Sequence, residues 1–124
     1  MRSTPDRNAL GRRAEDLVAA AVLECGATLL LRNYRRRCGE LDLVACERGV
    51  LRIIEVRMRS DDRFGGGAAS VDPGKRRRIV TTTRQLLQQR PELAKLPVRF
   101  DVAVVTPGLS RWQIEWIPHA FEAG

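Results

Sequence analysis

Histidine is nearly missing from this chain, with His119 its one example, and the three cysteines at 25, 38 and 46 form no Cys-x-x-Cys pair. A structural zinc site needs four soft ligands at close spacings, so composition excludes it, and the thiols are expected to be reduced and partly buried. His119 has no nucleophile partner in view and reads as a surface residue. No hydrophobic run approaches the roughly 20 apolar residues that span a bilayer. The opening MRSTPDRNALGRR is charged and lacks the apolar stretch of a secretory leader, so a cytoplasmic protein is expected. Lysine is scarce too: Lys75 and Lys95 stand among a great excess of arginine. The run Gly65-Gly66-Gly67 lacks the Lys and Ser/Thr of a phosphate-binding loop, which argues against nucleoside triphosphates. Internal repeats, low-complexity tracts and interdomain linkers are absent as well.

What is present suits one domain spanning 1–124, with its core over about 8–117. A chain of 124 residues, 44% hydrophobic, can bury roughly two-thirds of its unfolded surface without disulfides or a structural metal. Lys and Arg number 22 against 15 Asp and Glu, a net charge of +7 with a pI near 10.6. Such a surface attracts polyanions and releases their counterions, although a basic surface can also be functionally silent. The arginine bias fits forked phosphate contacts, and a GC-rich genome would produce it equally.

Apolar positions Leu10, Ala14, Leu17, Val18, Ala21 and Val22 have helical spacing, and Gly26 stands where a C-cap belongs. Strands are expected over Thr28–Tyr34, Glu40–Cys46 and Val50–Arg57, joined by a basic turn at Arg35-Arg36-Arg37 and by Arg48-Gly49. Residues Met58–Ser70 read as a mobile loop able to close over nucleic acid. Asp72-Pro73 starts a second helix whose apolar face is Ile79, Val80, Thr83, Leu86 and Leu87, ending before Pro91. Val98–Val105 reads as a fourth strand and Trp112–Ile117 as a short edge strand. Trp112 and Trp116, four apart, share a face that covers the sheet edge or a dimer contact, whereas Tyr34 and Phe64 serve packing or base stacking.

The informative stretch is Gly39-Glu40-Leu41-Asp42-Leu43-Val44, followed by Ile53-Ile54-Glu55-Val56-Arg57. Strand alternation points Glu40 and Asp42 one way, with Leu41 and Leu43 together on the other. Glu55 and Arg57 likewise share a face, and the turn makes Asp42 and Glu55 neighbours. Converging carboxylates repel unless a cation neutralises them, and hard oxygen donors suit Mg²⁺ or Mn²⁺. Such an ion activates water and stabilises charge on a phosphoryl oxygen, with Arg57 as a second positive group. The competing reading is a solvent-facing strand pair in salt bridges to the many arginines.

The acidic strand followed by Ile-Glu-Val-Arg resembles the PD-(D/E)xK nuclease signature. From about Leu10 to Val105 the chain is similar to the YraN-like family of bacterial proteins, which are predicted endonucleases related to archaeal Holliday-junction resolvases. Arg32-Asn33-Tyr34-Arg35, Lys75 and Arg99-Phe100-Asp101-Val102 carry the rest of the likeness. The resemblance implies an α/β fold with a restriction-endonuclease-like αβββαβ core, a mixed central sheet flanked by helices. It implies Asp42 and Glu55 as metal ligands, the Val56 carbonyl as a further donor, and Glu15 as an extra ligand from the first helix. Two positions depart from the pattern. Ala14 precedes Glu15 where the family has Gly, and Arg57 stands where Lys is usual. Arginine keeps its proton far above neutral pH, so it orients or stabilises but cannot act as a base.

Catalytic candidates are therefore Asp42, Glu55, Arg57 and Glu15, the metal candidates being Asp42, Glu55 and Glu15. Arg35, Arg36, Arg37, Arg59, Lys75, Arg76 and Arg77 are the candidate nucleic-acid contacts, with Arg78 beside them. The expected activity is metal-dependent cleavage of DNA, branched DNA included, for which two nicks and a symmetric dimer are natural. The other readings are a non-catalytic nucleic-acid-binding module, favoured by Arg57, and a structural partner in a larger assembly.

Overall fold

Spacing and capping explain where the elements begin and stop in a computed structural model, which describes residues 7–59 and 71–123. Helix α1, Arg7–Glu24, buries Ala14, Val18, Ala19 and Val22 along one stripe. It ends at Gly26 with a φ of 87°, where the Gly26 N–H reaches the Leu23 carbonyl (3.0 Å) and the Ala27 N–H reaches that of Val22 (3.3 Å). That is a Schellman stop, which needs a residue tolerant of the left-handed conformation. Helix α2, Pro73–Gln89, starts on Asp72, whose carboxylate accepts the Lys75 N–H at 3.2 Å.

Five strands, β1 (Thr28–Arg36), β2 (Gly39–Glu47), β3 (Val50–Met58), β4 (Val98–Thr106) and β5 (Gln113–Phe121), lie in chain order across one sheet. The β3–β4 pair is parallel, with α2 as its crossover, and the other three are antiparallel. A helix on each face makes this a mixed α/β fold, compatible with the expected restriction-endonuclease-like core. The element order agrees with the sequence pattern, and a short 3-10 turn, Leu93–Lys95, is added before β4.

Strands β2, β3 and β4 run a residue beyond the expected bounds, and two strands differ by more. Arg35 and Arg36 belong to β1, not to the turn, because their backbones continue the ladder opposite Glu40 and Gly39. Strand β5 is longer than expected, running past Pro118, which an edge strand tolerates because no ladder bond is lost there. Trp112 precedes β5, yet it and Trp116 both pack on the α1 side of the sheet. The Gly65–Gly67 run, Phe64 and the opening hexapeptide lie outside the described residues.

Two apolar layers hold the sheet. Leu41, Val44, Leu51, Ile53, Val102 and Val104 pack with Ile79 and Leu86 of α2, whereas Leu43, Ala45, Ile54, Ala103 and Val105 pack with Ala14, Val18 and Val22 of α1. Each fully buried Leu, Ile or Val contributes roughly 1.5–3 kcal/mol of transfer free energy, so these layers dominate stability. Cys25 is exposed and Cys38 and Cys46 are half-buried, all three as free thiols. Among the described residues no helix is long and apolar enough to cross a membrane.

Leu41 and Leu43 lie in opposite layers, which corrects the simple alternation expected of β2. The same switch occurs on β1, where Arg32 bonds Asp16 of α1 and Tyr34 bonds Gln89 of α2. Arg32 faces Leu43 and Tyr34 faces Leu41, so Asn33 and Asp42 stand opposite each other where both strands change face. Asn33 has a φ of 54°, a left-handed conformation that asparagine tolerates better than other residues with a Cβ.

Candidate functional site

Asp42 stands at this break. The β2–β3 ladder reaches Leu43↔Ile54, and one step further the Asp42 side chain accepts the Val56 N–H at 2.8 Å. Its carboxylate therefore fills a main-chain bond that a regular strand would supply, and this fixes it beside Glu55. Glu55 comes from the α2-facing side of β3 and is 4% exposed. Lys75, in the first turn of α2, places its Nζ 2.5 Å from Glu55 Oε2.

Gly39 permits this approach of helix to strand. A Cβ there would meet Thr82 Oγ1 at 2.9 Å and the Arg78 Cβ at 3.3 Å. The resulting cavity, about 210 Å³, is lined by Gly39, Glu40, Asp42, Glu55, Lys75, Arg78 and Ile79. A roomier one of about 400 Å³ lies on the other side of α2, between Val80, Leu87, Phe100 and Phe121. That one is largely apolar and holds no acidic pair, so the chemistry points to the smaller cavity.

Burial drives the Asp42 carboxyl up, the negative charge of Glu55 drives it further, and the Val56 N–H opposes both; the result is a group pushed up to about 8. The two carboxyls are close enough to share a hydrogen bond. With the one ammonium placed on Glu55, the pair is short of positive charge when both carboxyls are ionised. Two hard carboxylates with that deficit fit a divalent cation such as Mg²⁺ or Mn²⁺.

Asp42 and Glu55 are thus brought together as the strand pattern expected, although a face switch at Asp42 is responsible and not alternation. Glu15 is not part of the cavity lining. It is half-buried on α1, hydrogen-bonded by Asn33 and 3.9 Å from the Arg32 guanidinium, and burial raises its carboxyl against those two contacts. Among the described residues no three His, Cys, Asp or Glu side chains are grouped to hold an ion, so the acids form a pair with Glu15 outside it. Arg57 is half-exposed two residues past Glu55 and also stands outside the cavity lining.

The candidate phosphate contacts divide. Arg35 pairs with Glu40 at 3.2 Å, Arg36 bonds Gln89 and covers the Tyr34 ring, and Arg59 pairs with Glu115 at 3.2 Å. Arg76 bonds the Val71 carbonyl at 2.7 Å. Arg37 and Arg77 are exposed. Asn33 and Gly39 entered the sequence analysis only as members of longer motifs, with no role of their own; an asparagine inside a strand and a glycine before an acidic strand were the available signals.

Residues 14–105 match the family model described as Uncharacterised protein family UPF0102. The chain belongs to the UPF0102 family. A UPF0102 protein of Saccharophagus degradans is 42% identical over 114 residues, covering 92% of this chain and 93% of that one. One of Cupriavidus taiwanensis is 43% identical over 121 residues, covering 96% and 87%. Another, of Methylococcus capsulatus, is 43% identical over 114 residues, covering 91% and 90%. The UPF0102 match takes in Glu15, Asp42, Glu55 and Lys75 and stops in β4, short of β5.

Proposed function

We propose that this UPF0102 chain is a metal-dependent phosphodiesterase that cuts DNA, branched DNA included. One observation carries the reading: the half-buried Asp42 carboxyl and the buried Glu55 carboxylate face each other in a cavity lined by Lys75, whose ammonium pairs with Glu55, and by Arg78. Asp42 and Glu55 would hold Mg²⁺ or Mn²⁺, with the Val56 carbonyl and Glu15 as further candidates. The bound ion supplies an activated water and charge neutralisation at the phosphoryl group.

The chain's own residues do the rest. The Val56 N–H fixes which Asp42 oxygen remains available. Lys75 and Arg78 set a positive rim where the phosphate's charge accumulates, and Arg57 lies along the same strand face as Glu55. Arg35, Arg36, Arg37, Arg59, Arg76 and Arg77 supply the wider field that draws the backbone in. A junction substrate needs two cuts, which a two-fold pair of chains would supply.

Arg57 favours a second reading, a binding module that retains the fold without turnover, because a guanidinium cannot accept a proton near neutral pH. Linear, single-stranded, flapped and four-way-junction DNA, incubated with Mg²⁺ or Mn²⁺, separate the two. Metal-dependent cutting that disappears in Asp42→Ala and Glu55→Ala supports the enzyme. Binding without cutting at every metal concentration selects the module, and no binding at low salt removes nucleic acid from both readings.

A further inference from the structure

Four cations in a row open α2, and Lys75 is the one whose charged end lies on the buried Glu55 carboxylate. Arg76 turns back to the Val71 carbonyl, and Arg77 lies outside the carboxylate cavity. Lys75 is anchored in the helix through its backbone, since the Asp72 cap takes its N–H and leaves the ammonium alone. Its side chain is 42% exposed and carried on a flexible stem, so the charged end can leave Glu55 while α2 stays in place.

The ammonium and a divalent ion compete for one place. Glu55 Oε2 is already occupied, and a doubly charged ion on the same carboxylates would sit beside a positive charge in a partly buried setting. Repulsion of that kind is worth orders of magnitude in a binding constant. A phosphodiester beside the cavity is the group that relieves it, because it gives the ammonium another anion.

On this basis we infer that Lys75 is a displaceable internal counter-ion that couples divalent-cation binding to phosphodiester binding. The carboxylates take the ion at full affinity only after a phosphate has drawn the ammonium off Glu55. The inference rests on the proposed metal site and adds to it an order of assembly, which guards the free protein against loading without substrate. By linkage, the factor by which DNA tightens the ion is the factor by which the ion tightens DNA.

The test measures Mn²⁺ binding by titration calorimetry and by the loss of the free-ion paramagnetic resonance signal. It uses the full chain with and without a phosphorothioate-substituted four-way junction. Wild type is expected to bind Mn²⁺ weakly alone and much more tightly with DNA. Lys75→Met should bind Mn²⁺ alone about tenfold or more tighter than wild type, with the DNA effect reduced severalfold. Lys75→Arg, which keeps the charge, should restore the wild-type pattern, and Lys95→Met, which removes the charge of an exposed lysine outside the cavity, should retain it.

Absence of DNA coupling in wild type overturns the inference without any variant. So does Lys75→Met with unchanged Mn²⁺ affinity and a native thermal melt, or an equal gain in Lys95→Met. Asp42→Asn and Glu55→Gln distinguish the two levels of the claim. If neither weakens Mn²⁺ binding, the metal site itself is wrong. If both abolish it while Lys75→Met changes nothing, the site stands and the counter-ion role falls.

Discussion

Two aspartates withdrawn from solvent in this small sheet, Asp101 and Asp42, have opposite surroundings. Asp101 on β4 is 1% exposed and receives a forked pair from Arg99 at 2.9 and 3.0 Å, the Arg52 Nε at 2.8 Å and the His119 N–H at 3.2 Å. Burial pushes its carboxyl up, but Arg99, Arg52 and the His119 N–H outweigh that and leave it below the usual range. Arg52 in turn reaches Glu47 at 3.0 Å and lies over the Trp116 ring. Asp42 is half-buried, a second carboxylate faces it and a single backbone N–H supports it. A buried acid whose acceptors are filled by cations ties strands together, whereas one left short of positive charge is set to receive it.

The largest expected effect breaks the first cluster. Asp101→Asn leaves Arg52 and Arg99 without their shared anion, and losing one partner of a buried pair costs about 3–5 kcal/mol. Urea unfolding should show that loss, while Mn²⁺ affinity stays at the wild-type level. Asp42→Asn should act in reverse, raising stability at pH 8 by about 1–2 kcal/mol and removing Mn²⁺ binding. The contrast fails if Asp42→Asn destabilises as Asp101→Asn does.

Titration sharpens the same contrast through its sign. The Asp42 carboxyl goes from an ordinary 3.8 to about 8 on folding, so between those values the folded chain holds a proton that the unfolded chain has lost. Its contribution to stability is therefore greatest at low pH and declines as pH climbs through that window. Asp101 is lowered on folding, so its contribution is complete above about pH 4 and is lost as pH falls through its folded value. Urea midpoints measured from pH 3 to 9 should show Asp42→Asn gaining on wild type as pH rises. Over the acid range Asp101→Asn should approach wild type as pH falls. Parallel curves for the two variants would remove the distinction.

Much of this arrangement was legible in the sequence, for reasons that also show where legibility ended. Periodicity placed α1 and α2 because Ala14, Val18 and Val22, like Ile79 and Leu86, repeat at helical spacing. The Asp72-Pro73 start was read correctly because a cap is a local interaction. The Asp42–Glu55 pairing followed from a short turn between two strands. What period-two alternation could not supply was the change of face at Asp42, which coincides with the left-handed backbone of Asn33 opposite it on another strand. The ammonium on Glu55 depends on how close α2 lies to β2, a distance set by Gly39 and Thr82 together. The Arg52–Asp101 cluster was equally hidden, because its members come from positions 47, 52, 99 and 101 and meet only when β2, β3 and β4 lie side by side.

The smallest expected effect tests the geometry beneath the site. Asn33 contributes its left-handed conformation and a hydrogen bond to Glu15, and two substitutions separate these. Asn33→Gly keeps the backbone freedom and loses the hydrogen bond, so it should cost under about 1 kcal/mol. Asn33→Ala loses both, and a left-handed residue with a Cβ adds roughly 1–2 kcal/mol. If the kink positions Asp42, Asn33→Ala should also weaken Mn²⁺ binding more than Asn33→Gly, although neither position touches the carboxylate pair. Equal behaviour of the two variants would show that the positive φ does not hold the face switch. The Asp42 bond to the Val56 N–H would then be its cause, and the strand break would follow from the site instead of building it.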